Sequence, residues 1–249
     1  MTAQHNQTAS YDVTVLVPVY NEADNMPRLA SVLADFLSKA AMPSCVLFIN
    51  DGSTDGSGAL IRKICEDHPA FFYLDFAANA GLSAALKAGI DFAQSRYVAY
   101  IDADLQTDPH ELNLLMAHLD DFELVTGVRA NRKDTGFKKI QSRIANNFRR
   151  SMIKDGALDT GCPLKVMHSD IAKRLPFFTG MHRFFPALIQ LEGGRVKQVN
   201  VSHFPRTAGV SKFSLRNRLI APFMDCLVVR WMQKRHIAYR IADSDLKAE

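Results

Sequence analysis

The chain has 249 residues, 47% of them hydrophobic, and a formal net charge of +4. That composition excludes a disordered chain, and no run reaches the ~18 apolar residues of a membrane-spanning helix. The four cysteines, Cys45, Cys65, Cys162 and Cys226, form no C-x-x-C pair, so zinc and dithiol chemistry have no motif to rest on. Residues 1–10 are polar and lack the apolar core of a secretory signal, which points to the reducing cytosol. The charge is unevenly divided. Residues 1–127 hold 17 acids and 6 bases, whereas residues 128–249 hold 9 acids and 24 bases. A basic half of this kind points to an anionic partner.

In chain order, Val13–Val19 reads as a continuous apolar strand ending in Pro18-Val19-Tyr20-Asn21-Glu22. The period of Met26, Leu29, Val32, Leu33, Phe36 and Leu37 predicts a helix over Asn25–Lys39. Strands follow at Cys45–Ile49, Phe71–Phe76, Tyr97–Ile101 and Phe122–Thr126, with helices at Asp55–Asp67, Gly81–Gln94 and Pro109–Leu119 between them. Short apolar strands that do not alternate are buried on both faces, which predicts an α/β fold with a mostly parallel sheet flanked by helices. Beyond Gly127 the spacing predicts a basic helix over Phe137–Ile153 and a strand at Val166–His168. A helix at Met181–Leu191, a strand at Val196–Val201 and a long amphipathic helix over Ser214–Arg235 complete the reading.

Polar residues cluster where the first strands end. Glu22, Asp51, Asp102 and Asp104 each follow a strand directly, and open α/β sheets bind ligands outside the carboxyl ends of their strands. Asp102-Ala103-Asp104, with Gln106 nearby, offers the oxygen ligands that suit Mg²⁺ or Mn²⁺, although a D-x-D alone also occurs as a solvated turn. Asp51 is placed to accept a hydrogen bond from a nucleobase N–H, while Ser53 or Asp55 serves as a helix cap. Asn79-Ala80-Gly81 opens a helix whose N–H groups can face a nucleotide or can simply be capped.

Taken together, Pro18-Val19-Tyr20-Asn21-Glu22, Asn50-Asp51-Gly52-Ser53-Thr54-Asp55, Asn79-Ala80-Gly81 and Asp102-Ala103-Asp104-Leu105-Gln106 resemble the family 2, GT-A-type glycosyltransferases in order and spacing. Asn50 departs from the Asp usual there. Gly127 to Asp134, Asp159-Thr160-Gly161-Cys162, His182-Arg183-Phe184 and Arg206 to Lys212 extend the resemblance to the polyprenyl-phosphate branch. That branch includes dolichyl-phosphate mannose synthase and the undecaprenyl-phosphate sugar transferases. The resemblance implies a GT-A domain over 11–205, with a nucleotide-sugar and metal half over 1–127 and an acceptor half over 128–205. Residues 206–240 supply a phosphate-binding loop and the long helix.

What the resemblance implies is inverting transfer of a sugar from a UDP- or GDP-linked donor to a polyprenyl phosphate. Nucleotide-sugar contacts fall on Pro18, Tyr20, Asn21, Glu22, Asp51, Asn79, Gly81, Lys87 and Asp102. The metal, Mg²⁺ or Mn²⁺, falls to Asp102, Asp104 and Gln106. Arg129, Arg132, His182, Arg183, Arg206, Ser211 and Lys212 serve acceptor and phosphate, and Asp102, Asp104, Asp159 and Arg129 form the catalytic set. Asp159 either orients the acceptor, acts as a base, or caps a turn. His182 either binds phosphate or packs.

Eight bases against one acid between Arg129 and Arg150 suit an anionic acceptor. A phosphate monoester is largely dianionic near neutral pH, because its second pKa is about 6, so a strong general base is dispensable. In the long helix, Leu215, Leu219, Phe223, Leu227 and Trp231 recur every fourth residue. This face either lies in the membrane interface on the cytosolic side or packs on its own domain, a second copy or a membrane protein. A saccharide or protein hydroxyl acceptor is the alternative within enzymes. Nucleic-acid binding and non-catalytic nucleotide-sugar binding are the alternatives outside them, and no RNA-binding aromatic motif or helix-turn-helix accompanies the bases.

Overall fold

The computed structural model describes residues 10–129, 148–204 and 215–237, with side chains of the last segment from Phe223 onward. Arg132, Arg206, Ser211 and Lys212, and most of the basic helix expected over Phe137–Ile153, lie outside the described residues; residues 148–153 are helical.

Seven strands form one sheet: β1 (Val13–Val19), β2 (Ser44–Asn50), β3 (Phe71–Asp75), β4 (Tyr97–Tyr100), β5 (Leu124–Arg129), β6 (Lys165–His168) and β7 (Val196–Val201). Their order is β3-β2-β1-β4-β6-β5-β7. Every residue of β2 and all of β1 except Pro18 are buried, as non-alternating apolar strands require when helices cover both faces. One face packs under α1 (Met26–Ser38), α2 (Ser57–Asp67) and α4 (Leu112–Met116) through Leu29, Leu33, Phe36, Ile61 and Leu115. The other packs under α3 (Leu82–Phe92), α5 (Ser169–Arg174), α6 (Phe185–Leu191) and α7 (Leu215–Arg235) through Leu86, Ile90, Ile171, Leu188 and Val229. On this second face α3 rests closely on β1: a Cβ on Gly89 would stand 2.9 Å from Leu16 Cδ2.

The sheet is mostly parallel, as expected, with one reversal. β6 runs antiparallel between β4 and β5 and keeps those two parallel strands apart. The fifth strand also starts and ends two or more residues later than its hydrophobicity suggests. Its ladder with β7 runs through Gly127 and Val128 to Arg129, while Glu123 N and Leu124 N both donate to Arg195 O at the preceding turn. The helix expected over Met181–Leu191 divides into a 3-10 turn, Met181–Arg183, entered through the left-handed Gly180, and α6. Pro186 in the first turn of α6 explains the restart, since proline has no N–H to give to a preceding turn. Likewise Pro109–Glu111 is a 3-10 turn before the short α4.

The connection from residues 148–153 to β6 is anchored by an ion pair. Arg149 donates through both terminal nitrogens to the two oxygens of Asp155, whose side chain is fully buried, and Asp155 Oδ1 also accepts from Ala157 N at 3.1 Å. The guanidinium lies over the Phe184 ring. Removing one partner strands a buried charge. Asp155→Ala should therefore lower the unfolding free energy by roughly 3–5 kcal/mol, measurable as a shift of the urea midpoint.

Candidate active site

Because β1, β2, β4 and β5 run in one direction, their carboxyl ends share one edge, and the antiparallel β6 begins on it. Tyr20–Glu22, Asp51, Asp102–Gln106, Arg129 and Lys165 therefore gather there. The convergence expected of these residues follows from topology.

Asp51 is buried, and its carboxylate is a hub. Oδ1 accepts from Ala80 N at 2.7 Å, and Oδ2 accepts from Asn79 Nδ2 at 2.8 Å and Gly81 N at 2.9 Å. Three of about four acceptor positions are thus filled from within the chain. Gly52 makes the approach possible: at φ +66° a Cβ there would lie 2.4 Å from backbone atoms of Ala78 and Asn79. Asn79 and Gly81 are accordingly joined to Asp51 as one unit.

The β1 and β2 loops are stitched in the same manner. Asn21 N donates to Ser53 Oγ, and Thr54 N returns a bond to Asn21 Oδ1. Glu22 N donates to Ser57 Oγ, and Ala23 N to Asp55 Oδ2. Asp55 Oδ1 accepts from Ser57 N, but the N-cap of α2 is the left-handed Gly56 with no side-chain cap, so neither Ser53 nor Asp55 fills the expected capping position, and Ser53 serves the crossing loop. The Glu22 carboxylate accepts from Asn25 Nδ2 at 2.6 Å. Tyr20 is exposed beside Pro18 at the rim. Asn50 gives its amide to Asp75 Oδ1 at 2.8 Å, and Arg62 pairs with the same carboxylate. An amide at position 50 thus complements an acid that a second carboxylate would oppose. Lys87 pairs with Asp91 and lies over the Phe177 ring, so its ammonium is engaged within α3 and its packing.

At the end of β4, Asp102 Oδ1 accepts from the Tyr100 hydroxyl at 2.5 Å. Burial pushes the Asp102 carboxyl up to about 6, with the Tyr100 hydrogen bond opposing, Asp104 adding to the rise, and Lys165 and Arg129 opposing. Asp104 is buried and accepts from Gln106 N at 3.2 Å. Leu105 between them adopts φ +54°, and Asn21 adopts φ +53°; left-handed non-glycine residues of this kind concentrate at functional sites. Among the described residues no group of three or more His, Cys, Asp or Glu is arranged to hold a metal. Two carboxylates nevertheless suit Mg²⁺ or Mn²⁺, which take one or two protein carboxylates and fill the rest of the shell with phosphate and water.

At the carboxyl end of β5, Arg129 and Asp159 hold each other. Nε reaches Oδ2 at 2.7 Å, Nη2 reaches Oδ1 at 2.9 Å, and Arg129 N adds a third bond. Gly161 N also donates to Asp159. A carboxylate bonded this way fixes an arginine rather than standing ready to take a proton. Arg183 approaches Asp225 of α7 at 4.0 Å.

Sequence reasoning missed Lys165 and Tyr100. Lys165 is fully buried, donates to Cys162 O, and stands opposite Tyr100 in the β4–β6 register with its ammonium 5.7 Å from that ring. Burial draws its pKa down, against the charges of Cys162, Asp159 and Asp102. A lone lysine among apolar residues gives no periodic signal. The available clue is its place two residues after Cys162-Pro163, at the start of a buried strand.

His182 is hydrogen-bonded to α3. Ser83 Oγ accepts from Gly180 N and is hydrogen-bonded to His182 Nδ1 at 3.2 Å. Burial, then Arg183 and Lys165, push the imidazole down to about 3. The unfolded ring takes a proton near its ordinary 6.5, whereas the folded ring stays neutral. Stability from this group is complete above about 6.5 and is lost as pH falls toward 3. His182→Asn, which keeps a hydrogen-bond partner for Ser83, should flatten the fall of the urea midpoint between about pH 6.5 and 4.5; curves parallel to wild type would assign the acid sensitivity elsewhere.

The family model described as Glycosyl transferase family 2 matches residues 14–176. A dodecaprenyl-phosphate galacturonate synthase of Rhizobium johnstonii is 31% identical over 231 residues, covering 90% of this chain and 68% of that protein. An undecaprenyl-phosphate 4-deoxy-4-formamido-L-arabinose transferase of Salmonella choleraesuis is 31% identical over 222 residues, covering 86% and 67%. Among solved structures, a Pyrobaculum calidifontis mannosyltransferase in complex with GDP-Man and Mn²⁺ aligns with TM-score 0.62 at 21% identity, covering 93% of this chain and 66% of that one. A Mycobacterium tuberculosis glucosyl-3-phosphoglycerate synthase in complex with Mn²⁺, UDP and glucosyl-3-phosphoglycerate aligns with TM-score 0.66 at 14% identity, covering 90% and 80%. The chain thus spans about two thirds of the length of the two curated relatives and of the mannosyltransferase.

Proposed function

The chain belongs to glycosyl transferase family 2, and from that premise we propose that it moves a sugar from a nucleotide-sugar donor to a polyprenyl phosphate at the cytosolic membrane face, with inversion. The observation that carries this reading is the gathering of the Asp51 hub, Asp102, Asp104 and Arg129 on one sheet edge. The bases concentrated in the second half of the sequence suit an anionic acceptor. The 31% identity to two polyprenyl-phosphate sugar transferases supports the acceptor class.

In this reading Asp51 offers its remaining acceptor position to the nucleobase, and Pro18, Tyr20, Asn21, Glu22, Asn79 and Gly81 shape the nucleoside pocket around it. Lys87 stands at its margin. Asp102, Asp104 and Gln106 hold Mg²⁺ or Mn²⁺, which when bound supplies Lewis-acid stabilisation of the leaving diphosphate. Arg129, kept rigid by Asp159, presents positive charge to the acceptor phosphate without a conformational search. Arg132, Arg183, Arg206, Ser211 and Lys212 add cationic and hydroxyl contacts to the phosphates, and His182 holds the loop that carries Arg183. The acceptor dianion is its own nucleophile, so Asp159 orients rather than deprotonates.

The test is transfer from labelled nucleotide sugars, in a panel carrying UDP and GDP, into solvent-extractable lipid with undecaprenyl phosphate and Mn²⁺. Label in lipid, lost with chelator and lowered at least 100-fold by Asp104→Asn, is the expected result. Label found only on a saccharide would transfer the assignment to a hydroxyl acceptor.

No helix among the described residues is long and apolar enough to cross a membrane. Instead α7 buries Cys226 and Val229 against the domain and exposes Phe223, Met224, Leu227, Val228 and Trp231. These exposed residues recur at helical spacing and form one apolar stripe, flanked by Arg230, Lys234 and Arg235 near its end. In-plane contact with an anionic bilayer fits that face. Phe223 also stacks on Phe148, with ring centroids 5.0 Å apart, so Leu227 and Trp231 make the cleaner test. Leu227→Ser with Trp231→Ala should abolish sedimentation with phosphatidylglycerol vesicles while leaving the unfolding temperature unchanged.

A further inference from the structure

Tyr100 closes β4 two residues before Asp102, on a strand whose four residues are all buried. Its ring is 5% exposed and is flanked by the Lys165 ammonium, which Cys162 O holds in place. The register pairs Tyr100 with Lys165 across the β4–β6 ladder, so ring and ammonium are set by the sheet itself and not by a loop. Among the described residues the phenol hydroxyl has one hydrogen-bond partner, Asp102 Oδ1, at 2.5 Å. Asp102 Oδ2 accepts no hydrogen bond among the described residues.

We propose that Tyr100 is a positioning residue for Asp102: its hydroxyl occupies Oδ1 and so leaves Oδ2 as the single oxygen offered to a divalent cation. Asp102 then binds through one oxygen in a fixed direction. Asp104, turned by the left-handed Leu105, supplies a second oxygen from the same turn. Groups that hydrogen-bond a ligating carboxylate orient it, and their removal commonly weakens metal binding about 10–100-fold. This inference rests on the metal-assisted reading above, and it adds a residue outside the family motif on which that reading was built.

Tyr100→Phe removes the hydroxyl and keeps the ring. Free Mn²⁺ is titrated by electron paramagnetic resonance against wild type, Tyr100→Phe, Asp102→Asn and the double variant, with no nucleotide present. The expected result is Mn²⁺ affinity about 10-fold weaker in Tyr100→Phe, with no further loss when that change is added to Asp102→Asn. In the transfer assay the Mn²⁺ concentration for half-maximal rate rises by the same factor, and the rate at saturating Mn²⁺ returns to wild type. A merely structural role would lower that saturated rate or the unfolding temperature and would persist in the Asp102→Asn background. Unchanged Mn²⁺ affinity in Tyr100→Phe, or equal losses in both backgrounds, would overturn the assignment. Wild-type protein that takes up no Mn²⁺ would instead remove the metal from the proposed function, and the positioning role with it.

Discussion

The buried carboxylate of Asp51 is the constraint on which the carboxyl edge of this sheet depends. It sits at the end of a strand with no exposed residue, so its charge must be satisfied by the chain. It is satisfied by three donors of residues 79–81, the segment that opens α3. One ionised side chain thereby joins β2 to a helix whose sequence position is about thirty residues later. The left-handed Gly52 and the entrance to α3 follow from that demand. The stitching of Asn21 to Ser53 and Thr54 then adds β1 to the same rigid unit. Loops joined this way are held in place by the chain's own hydrogen bonds.

Much of this arrangement was legible in the sequence because it depends on period and on strand ends. The apolar runs at Val13–Val19 and Cys45–Ile49 announce a doubly covered sheet, and acids placed directly after such runs must meet on one edge. What was not legible depends on pairings across long separations. Nothing in Leu124–Arg129 signals that a later strand, Lys165–His168, will enter between it and Tyr97–Tyr100. For the same reason Lys165 passed unnoticed: its significance comes from standing opposite Tyr100, a relation created only by that insertion. The bidentate grip of Asp159 on Arg129 was likewise hidden, since the two are thirty residues apart and each has a plausible role alone.

The long helix shows a different limit. Its repeat of apolar residues every fourth position is correct, yet a helical wheel does not say which side meets the domain. Cys226 and Val229, neither of them prominent in the repeat, face inward, and Phe223, Leu227 and Trp231 are exposed. An outward apolar stripe has no support from the hydrophobic effect in water, so its retention in the sequence points to a surface that covers it. Asp225 on the same helix approaches Arg183, so the element that carries the stripe also touches the turn that carries Arg183.

The exchange of the usual Asp for Asn50 has an implication for how this protein can change. Because the amide donates to Asp75 and Arg62 completes the group, positions 50, 62 and 75 are a single electrostatic unit. An acid restored at 50 alone would set two carboxylates against each other beside a buried strand end, so it becomes acceptable only once Asp75 is neutral. A change at any one of these three positions therefore alters the electrostatic surroundings of the other two.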